Sequence, residues 1–133
     1  MTRSLLRENI FKLLFRVEFN SPEDMPEQEQ LFLSNDEEGL TPADSEYISN
    51  KYERIAAVLP ELDAAISERT EGWTIDRIGK IDLTILRLAL FEIRYDEDIP
   101  TSVAINEAVE LAKKFGREES SSFVNGVLKK FAD

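Results

Sequence analysis

The sequence predicts an all-α protein, and three observations support that fold class. Apolar residues recur at spacings of three and four along most of the chain, which is the spacing of one face of a helix. Capping residues and helix-ending Pro or Gly residues separate these segments. No long run alternates apolar and polar residues between turn signals, as a strand would. These observations predict a compact bundle of about seven helices within 133 residues, a length typical of one domain.

The first predicted helix covers the N-terminus. Its apolar residues form one stripe, made of Leu6, Ile10, Leu13, Leu14 and Val17. Phe11 and Phe15 are four residues apart, so their rings are expected to stack on one side of the helix. Asn20-Ser21-Pro22 ends the helix, because proline cannot continue it and restricts the residue before it.

The middle of the chain predicts three further helices. The clearest start signal is Thr41, which can cap a helix that has Pro42 at its first position and Asp44 at its third. Pro60 interrupts that helix, and Glu71-Gly72 closes the next one. The predicted boundaries are Glu23–Leu33 for a short acidic helix, Ser34–Gly39 for a polar loop, and Glu61–Arg69 for the third helix.

The last third of the chain predicts a central helix and two more. Lys80–Tyr95 is apolar on nearly all sides, as expected of a helix packed against several others. Helices are predicted over Ser102–Phe115 and Glu118–Phe131, and Gly116 suits a left-handed position between them. Gly126 lies inside the last helix, where glycine costs about 1 kcal/mol relative to alanine. Either close helix packing, the favoured interpretation, or close approach of a partner's backbone would offset that cost.

The composition argues against catalysis. Histidine and cysteine are absent, which removes the commonest general base, thiol nucleophiles and most soft metal ligands. No glycine-rich phosphate loop is present. The acid clusters Asp36–Glu38 and Asp96–Asp98 lack the spacing of a calcium loop, so we interpret them as solvated acids. Glu107 and Glu110 share a helix face but lack the histidine of a di-iron site. We therefore predict a non-enzyme with no cofactor and no metal.

The charge is uneven along the chain, although the net charge is -11. The helical period places Arg3 and Arg7 at one edge of the first apolar stripe, and Lys12 and Arg16 on its solvent face. Residues 17–50 hold ten acids and no Lys or Arg, whereas residues 113–133 hold five basic residues against three acids. The average field opposes non-specific nucleic-acid binding, but the two basic ends leave specific binding open.

No segment of the sequence predicts a membrane span or a secretory signal. Apolar runs fall short of the roughly 18 residues that cross a bilayer. Glu8 and Lys12 interrupt what would have to be the uncharged core of a signal peptide. The sequence therefore predicts a cytoplasmic protein with no membrane partner.

Four strings resemble the NusB family, and the last three also match it in order and spacing. They are R-x-x-x-R-E at Arg3–Glu8, IGKIDLTILRLALFEI at Ile78–Ile93, SVAINEAVELAKKFG at Ser102–Gly116 and SSFVNGVLKK at Ser121–Lys130. The resemblance is clear in the C-terminal half, while the acidic middle is similar only in its helical character. It implies a single NusB-like domain over 1–133, built from two small three-helix bundles, roughly 1–59 and 60–133.

The resemblance also implies a function. Members of this family are transcription antitermination factors that pair with a small-subunit ribosomal protein, called NusE in that role. The pair binds single-stranded RNA of the boxA type in nascent ribosomal RNA transcripts. The complex then helps RNA polymerase to resist termination. We therefore expect boxA-type RNA, NusE and the RNA polymerase antitermination complex as partners.

The residues implied for RNA binding lie at both basic ends of the chain. They are Arg3, Arg7, Lys12, Phe115, Ser121, Ser122, Phe123 and Asn125. A phenylalanine can stack on a splayed base, an asparagine can read a base edge, and a serine can bond phosphate. Asp82 matches an acidic family position at the contact with the basic ribosomal partner.

Packing roles remain open for several of these residues. Arg7 could pair with a buried acid or a helix end, and Phe123 could complete the core. Asp82 could be an ordinary acid of a first helical turn. Arg87 and Glu92, in the central helix, are interpreted as a structural ion pair or as buried stems.

The alternative function is a protein-interaction or homodimeric module with little RNA affinity of its own. Many family members have a denser arginine run where this chain has Ser4-Leu5-Leu6. Ser122 stands where many relatives carry Lys or Arg. These departures, with the net charge of -11, favour the alternative.

Overall fold

The computed structural model of the chain describes residues 1–35, 39–70 and 74–132. Within those ranges the chain forms seven α-helices, two short 3₁₀ turns and no strand, which confirms the predicted fold class. The acid cluster Asp36–Glu38, and with it half of the predicted polar loop, lies outside the described residues. So does the predicted helix end at Glu71-Gly72.

Most of the predicted helix boundaries agree with the structure. The helices are α1 (Arg3–Phe15), α2 (Met25–Leu33), α3 (Pro42–Ala57), α4 (Leu59–Arg69), α5 (Lys80–Tyr95), α6 (Thr101–Phe115) and α7 (Ser120–Lys129). The bounds of α5 match at both ends, whereas α7 is shorter than predicted at both. The helical run breaks at Val58, just before Pro60 as predicted, and Pro60 itself lies in the first turn of α4. Proline is tolerated there because a first-turn N–H has no partner within the helix.

The start of α3 has the reciprocal cap that the sequence predicts. The Asp44 backbone N–H donates to Oγ1 of Thr41, and the Thr41 N–H donates to Oδ2 of Asp44, each over 3.1 Å. These bonds satisfy two donors that the helix leaves open. The bond from the Thr41 backbone also holds the pKa of Asp44 below its ordinary value.

The chain divides into an N-terminal unit, Met1–Ala57, and a C-terminal unit, Val58–Asp133. In the N-terminal unit, α1 packs mainly on α3, and α2 contacts both. The buried apolar side chains of this unit come from all three helices. They include Ile10, Leu13, Leu14, Phe32, Ile48 and Ile55.

In the C-terminal unit, α5 is the central helix, packed against α4, α6 and α7. Every residue of 83–92 is buried, as the all-round apolar pattern predicts. Arg87 forms a two-bond ion pair with Asp63 of α4, over 2.7 and 2.8 Å. The structural ion pair predicted for Arg87 is therefore confirmed, and it satisfies a buried charge that would otherwise be costly.

Candidate nucleic-acid interface

The cations of α1 have different surroundings. Thr2 caps the helix through Oγ1, which accepts from the Leu5 N–H over 3.1 Å, and Arg3 follows in an exposed position. Arg7, one turn later, is only 6% exposed. Lys12 is half-buried and pairs with Glu8 over 3.4 Å. Of the three α1 cations implied for RNA binding, Arg3 alone is exposed.

Arg16 does not lie on a solvent face, contrary to the prediction from the helical period. α1 ends at Phe15, and Arg16, at the start of the following 3₁₀ turn, lies against α2 rather than in solvent. Its guanidinium donates to the backbone oxygen and to Oε1 of Gln28, and lies 5.2 Å from the ring centroid of Phe32. Arg16 therefore joins the end of α1 to α2.

The aromatic pair predicted on α1 is present and extends further. Phe11 and Phe15 stack with their ring centroids 6.2 Å apart. Phe15 then meets Phe19 edge to face at 5.1 Å. Phe11 is buried, while Phe19 is largely exposed, so this row of rings runs from the core to the surface.

In the connection between α6 and α7, the backbone of Gly116 lies close to the side chain of Ser120. Gly116 has φ −92° and ψ −167°, an extended conformation, so the left-handed position predicted for it is wrong. A Cβ at this position would lie 2.6 Å from Cβ of Ser120 and 2.8 Å from the carbonyl oxygen of Ala112. Glycine is needed here for space. Oγ of Ser120 accepts from the Arg117 N–H over 2.9 Å and fixes the turn into α7.

The α7 residues implied for RNA binding are accessible to different degrees. Ser122 is exposed, while Ser121, Phe123 and Asn125 are half-buried. Within the described ranges, the side chains of Ser122 and Asn125 make no hydrogen bond with the rest of the chain. Their hydroxyl and amide groups are therefore available to a ligand.

Gly126 is an exposed residue in the middle of α7. A Cβ built on it would have no atom within 4 Å, and its φ is negative. The interpretation that close helix packing requires this glycine is therefore wrong. The helix bears the cost of a glycine, about 1 kcal/mol, and neither packing nor conformation within the described chain offsets it.

Phe115, the last residue of α6, is half-buried, and Nζ of Lys114 lies 5.5 Å from its ring centroid. It belongs to the C-terminal unit with Ser121, Ser122, Phe123 and Asn125, whereas Arg3, Arg7 and Lys12 lie on α1 of the N-terminal unit. The sequence-predicted residues are thus grouped in two sets, one in each unit.

Asp82, the residue implied for the protein partner, is half-buried in the first turn of α5. The helix begins after Gly79, which offers no capping side chain. A carboxylate in this turn is favoured by the unpaired N–H groups and the dipole of the helix. This location is compatible both with an ordinary first-turn acid and with a contact to a basic partner.

A cationic and aromatic cluster in the C-terminal unit was not predicted as a site. The guanidiniums of Arg69 and Arg94 lie 5.2 and 5.3 Å from the ring centroid of Phe131. Nζ of Lys130 donates to the Arg69 carbonyl, and Nη1 of Arg69 donates to the Lys130 carbonyl. The sequence signal was a pair of arginines in the last turns of two helices, but nothing in their spacing indicates a shared ring.

A carboxylate cluster in the N-terminal unit was also missed. Oγ of Ser49 on α3 is hydrogen-bonded both to Oε2 of Glu29 on α2 and, over 3.0 Å, to Oε2 of Glu53. Burial raises the pKa of the Glu29 carboxyl above its ordinary value, and the nearby charge of Glu53 raises it further. Because a serine hydroxyl has one proton, a proton on the Glu29 carboxyl allows both bonds to form.

The described part of the chain holds no group of three or more acidic side chains placed to bind a metal ion together. None of the helices traced in residues 1–35, 39–70 and 74–132 combines the length and apolar content needed to cross a bilayer.

The fold and these surfaces define a small all-α protein of two helical units, with an open polar face on its last helix. The chain belongs to the NusB family, which it matches over residues 4–133. It is 52% identical to the transcription antitermination protein NusB of Agathobacter rectalis, covering 99% of this chain and 100% of that protein.

Two solved structures are similar over nearly the whole chain. One is NusB of T. maritima, with a TM-score of 0.89 and 35% identity, covering 99% of this chain and 91% of that one. The other is a crystal structure of the antitermination factors NusB and NusE in complex with dsRNA. It matches with a TM-score of 0.83 and 25% identity, covering 97% of this chain and 94% of that one.

Proposed function

We propose that this chain is a transcription antitermination factor that binds single-stranded RNA of the boxA type together with a ribosomal protein of the NusE kind. The observation that carries the proposal is the match to the NusB family over residues 4–133. Two further comparisons support it: a 52% identical relative named as an antitermination protein, and a similar chain solved with NusE and RNA. The role is one of binding, within an RNA polymerase antitermination complex, and involves no catalysis.

We assign the base-reading part of the RNA surface to α6 and α7 of the C-terminal unit. The Asn125 amide makes no hydrogen bond within the described residues and can bond a base edge, and the exposed hydroxyl of Ser122 can bond a phosphate. The accessible parts of the Phe115 and Phe123 rings offer stacking surfaces for unpaired bases. Ser121 lies at the same end of α7 and is assigned to the same surface.

We assign a phosphate-binding role to α1 of the N-terminal unit. Arg3 is exposed and is the strongest candidate for direct contact. Lys12 can contribute once its half-buried pair with Glu8 is exchanged for a phosphate. The burial of Arg7 favours a packing role that holds α1 in place, and its direct contact with RNA stays a prediction.

We assign the contact with the ribosomal partner to Asp82 and the surface around it. Ribosomal proteins are basic, and a half-buried carboxylate at a helix start can pair with an incoming Lys or Arg.

The alternative remains a protein-interaction or homodimeric module with little RNA affinity of its own. The net charge of -11 and the internal use of Arg7, Lys12 and Arg16 favour it. In that case the purified chain would sediment as a dimer, and its RNA affinity would be weak with or without the partner.

A titration of labelled boxA-type RNA, with and without the ribosomal partner, tests the proposed function. We expect specific binding in the presence of the partner, which weakens as salt rises because phosphate contacts release counterions. Asn125→Ala should reduce the affinity for boxA-type RNA about tenfold while leaving the affinity for a scrambled RNA unchanged. Asn106→Ala, at an exposed position on α6, is the matched control and should change neither.

Equal affinity for boxA-type and scrambled RNA in the presence of the partner would contradict the proposed function. A lack of RNA binding combined with a stable homodimer would establish the alternative. An equal loss in Asn125→Ala and Asn106→Ala would contradict the assignment of base reading to α7.

A further inference from the structure

A cationic and aromatic cluster lies where α4, α5 and α7 end in the C-terminal unit. It consists of Arg69, Arg94, Lys130 and Phe131, and we call it the C-terminal cluster. Arg69 and Lys130 donate to each other's backbone carbonyls, which ties the end of α4 to the end of α7. Both arginines also lie over the Phe131 ring, within the range of cation–π attraction.

Pairing within the chain does not account for this positive charge. The chain has 27 acids and 16 basic residues, so ion-pair partners are abundant. Within the described residues, neither Arg69 nor Arg94 forms an ion pair, although Asp96–Asp98 follow Arg94 closely in sequence.

Stabilisation of helix ends accounts for only part of the cluster. Cations near a helix C-terminus interact favourably with the unpaired carbonyls there. Arg69 and Lys130 use one hydrogen bond each in this way. Arg94 makes no such bond in the part of the chain that the structure describes, and its contact there is with Phe131. Within the described residues its guanidinium donors are therefore unused, and the guanidinium lies over the ring.

The cluster reaches the exposed face of α7 through one of its members, Lys130. Ser122 and Gly126 are four residues apart, and Lys129 and Lys130 follow Gly126 at three and four residues, so helical spacing places them in one row. The ten residues of α7 span about 15 Å, so the row runs from the polar end to the cluster over a short distance.

We propose that the C-terminal cluster binds phosphate groups of the same RNA strand that Ser122 and Asn125 contact, which extends the RNA surface along the whole of α7. This proposal rests on the proposed function. The guanidiniums of Arg69 and Arg94 present paired N–H donors that match two oxygens of one phosphate. Contact with the RNA backbone makes this part of the surface independent of base sequence.

Arg94→Gln tests the cluster most cleanly, because this arginine makes no hydrogen bond within the described residues that the substitution would break. We expect it to weaken binding of boxA-type RNA about fivefold, in the presence of the partner, as expected for one exposed charge contact. The slope of log affinity against log salt should fall by about 0.7, the value for one phosphate of a single strand. Phe131→Leu should weaken binding in the same direction, because it removes the ring that orients both arginines.

Arg77→Gln is the matched control, since Arg77 is also exposed in the C-terminal unit but has no contact with the Phe131 ring. It removes the same charge and should leave the salt slope unchanged. Thermal unfolding of each variant checks that the fold is intact.

If Arg94→Gln kept the wild-type RNA affinity and salt slope, the proposal that the C-terminal cluster binds RNA would be overturned, while the proposed function would stand. An equal loss in Arg77→Gln would also overturn it, because net charge would then be the cause. A loss of affinity for the protein partner with unchanged RNA affinity would assign the cluster to protein binding. If the wild-type chain with its partner did not bind RNA specifically, the proposed function and this inference would both be rejected.

Discussion

α1 and α7 carry the two segments that the sequence resemblance associates with RNA, and they use their polar residues differently. On and just after α1, Arg7 is buried, Lys12 pairs with Glu8, and Arg16 bonds to Gln28. On α7, Ser122 and Asn125 make no hydrogen bond within the described residues, and Gly126 has open space around it. Most of the α1 cations maintain the fold, whereas the open face of α7 is available to a partner.

Gly116, between α6 and α7, and Gly126, within α7, show a similar contrast between an internal role and an open position. Gly116 is surrounded by atoms of its own chain, and Gly126 has none nearby. The sequence pattern places Gly116 at the end of a helix and Gly126 inside one, but it does not show what surrounds either residue. In the structure, the neighbouring atoms of the chain require glycine at position 116. At position 126, only a partner outside the described chain would require it.

The largest effect is expected for Gly116→Ala. The new Cβ would lie within 3 Å of both the Ser120 side chain and the Ala112 carbonyl oxygen, so backbone or helix must shift. We expect the free energy of unfolding to fall by about 1–3 kcal/mol, the range for overpacking a close contact. Urea denaturation followed by circular dichroism measures it. Unchanged stability would show that the turn between α6 and α7 relaxes without cost.

Arg7→Gln and Arg3→Gln, compared with each other, test the contrast between buried and exposed cations on α1. We expect Arg7→Gln to lower the free energy of unfolding by about 1–2 kcal/mol, because it changes a buried charged group. Arg3→Gln should leave stability unchanged and weaken RNA binding about fivefold, since this side chain is exposed. If instead Arg7→Gln weakened RNA binding without loss of stability, the packing role of Arg7 would be rejected.

The helices could be predicted from the sequence because their signals are local. The bounds of α5 follow from its dense apolar pattern, and the cap at Thr41 and Asp44 follows from residue types at a fixed spacing. The ion pair of Arg87 was foreseen as a type of interaction, but its partner Asp63 is 24 residues away in sequence. The identity of such a partner depends on how α4 and α5 pack.

The errors share one physical origin, which is that periodicity carries no information on neighbouring elements. The period of α1 alone predicts Arg16 on a solvent face, but Gln28 and Phe32 of α2 lie against it. Gly116 was assigned a left-handed conformation from its position after a helix, whereas the close approach of Ser120 is what requires it. The C-terminal cluster escaped prediction because its members come from the ends of three helices.

The most direct test of the proposed open RNA surface on α7 is Gly126→Ala, measured for both stability and RNA affinity. Alanine at this position fits the helix without contact, so the free energy of unfolding should rise by about 1 kcal/mol. If RNA lies against this part of the helix, the added methyl group should weaken boxA-type RNA binding about tenfold, or about 1.4 kcal/mol. A more stable variant that binds RNA less well is the predicted result. A more stable variant with wild-type RNA affinity, in the presence of the ribosomal partner, would contradict the account.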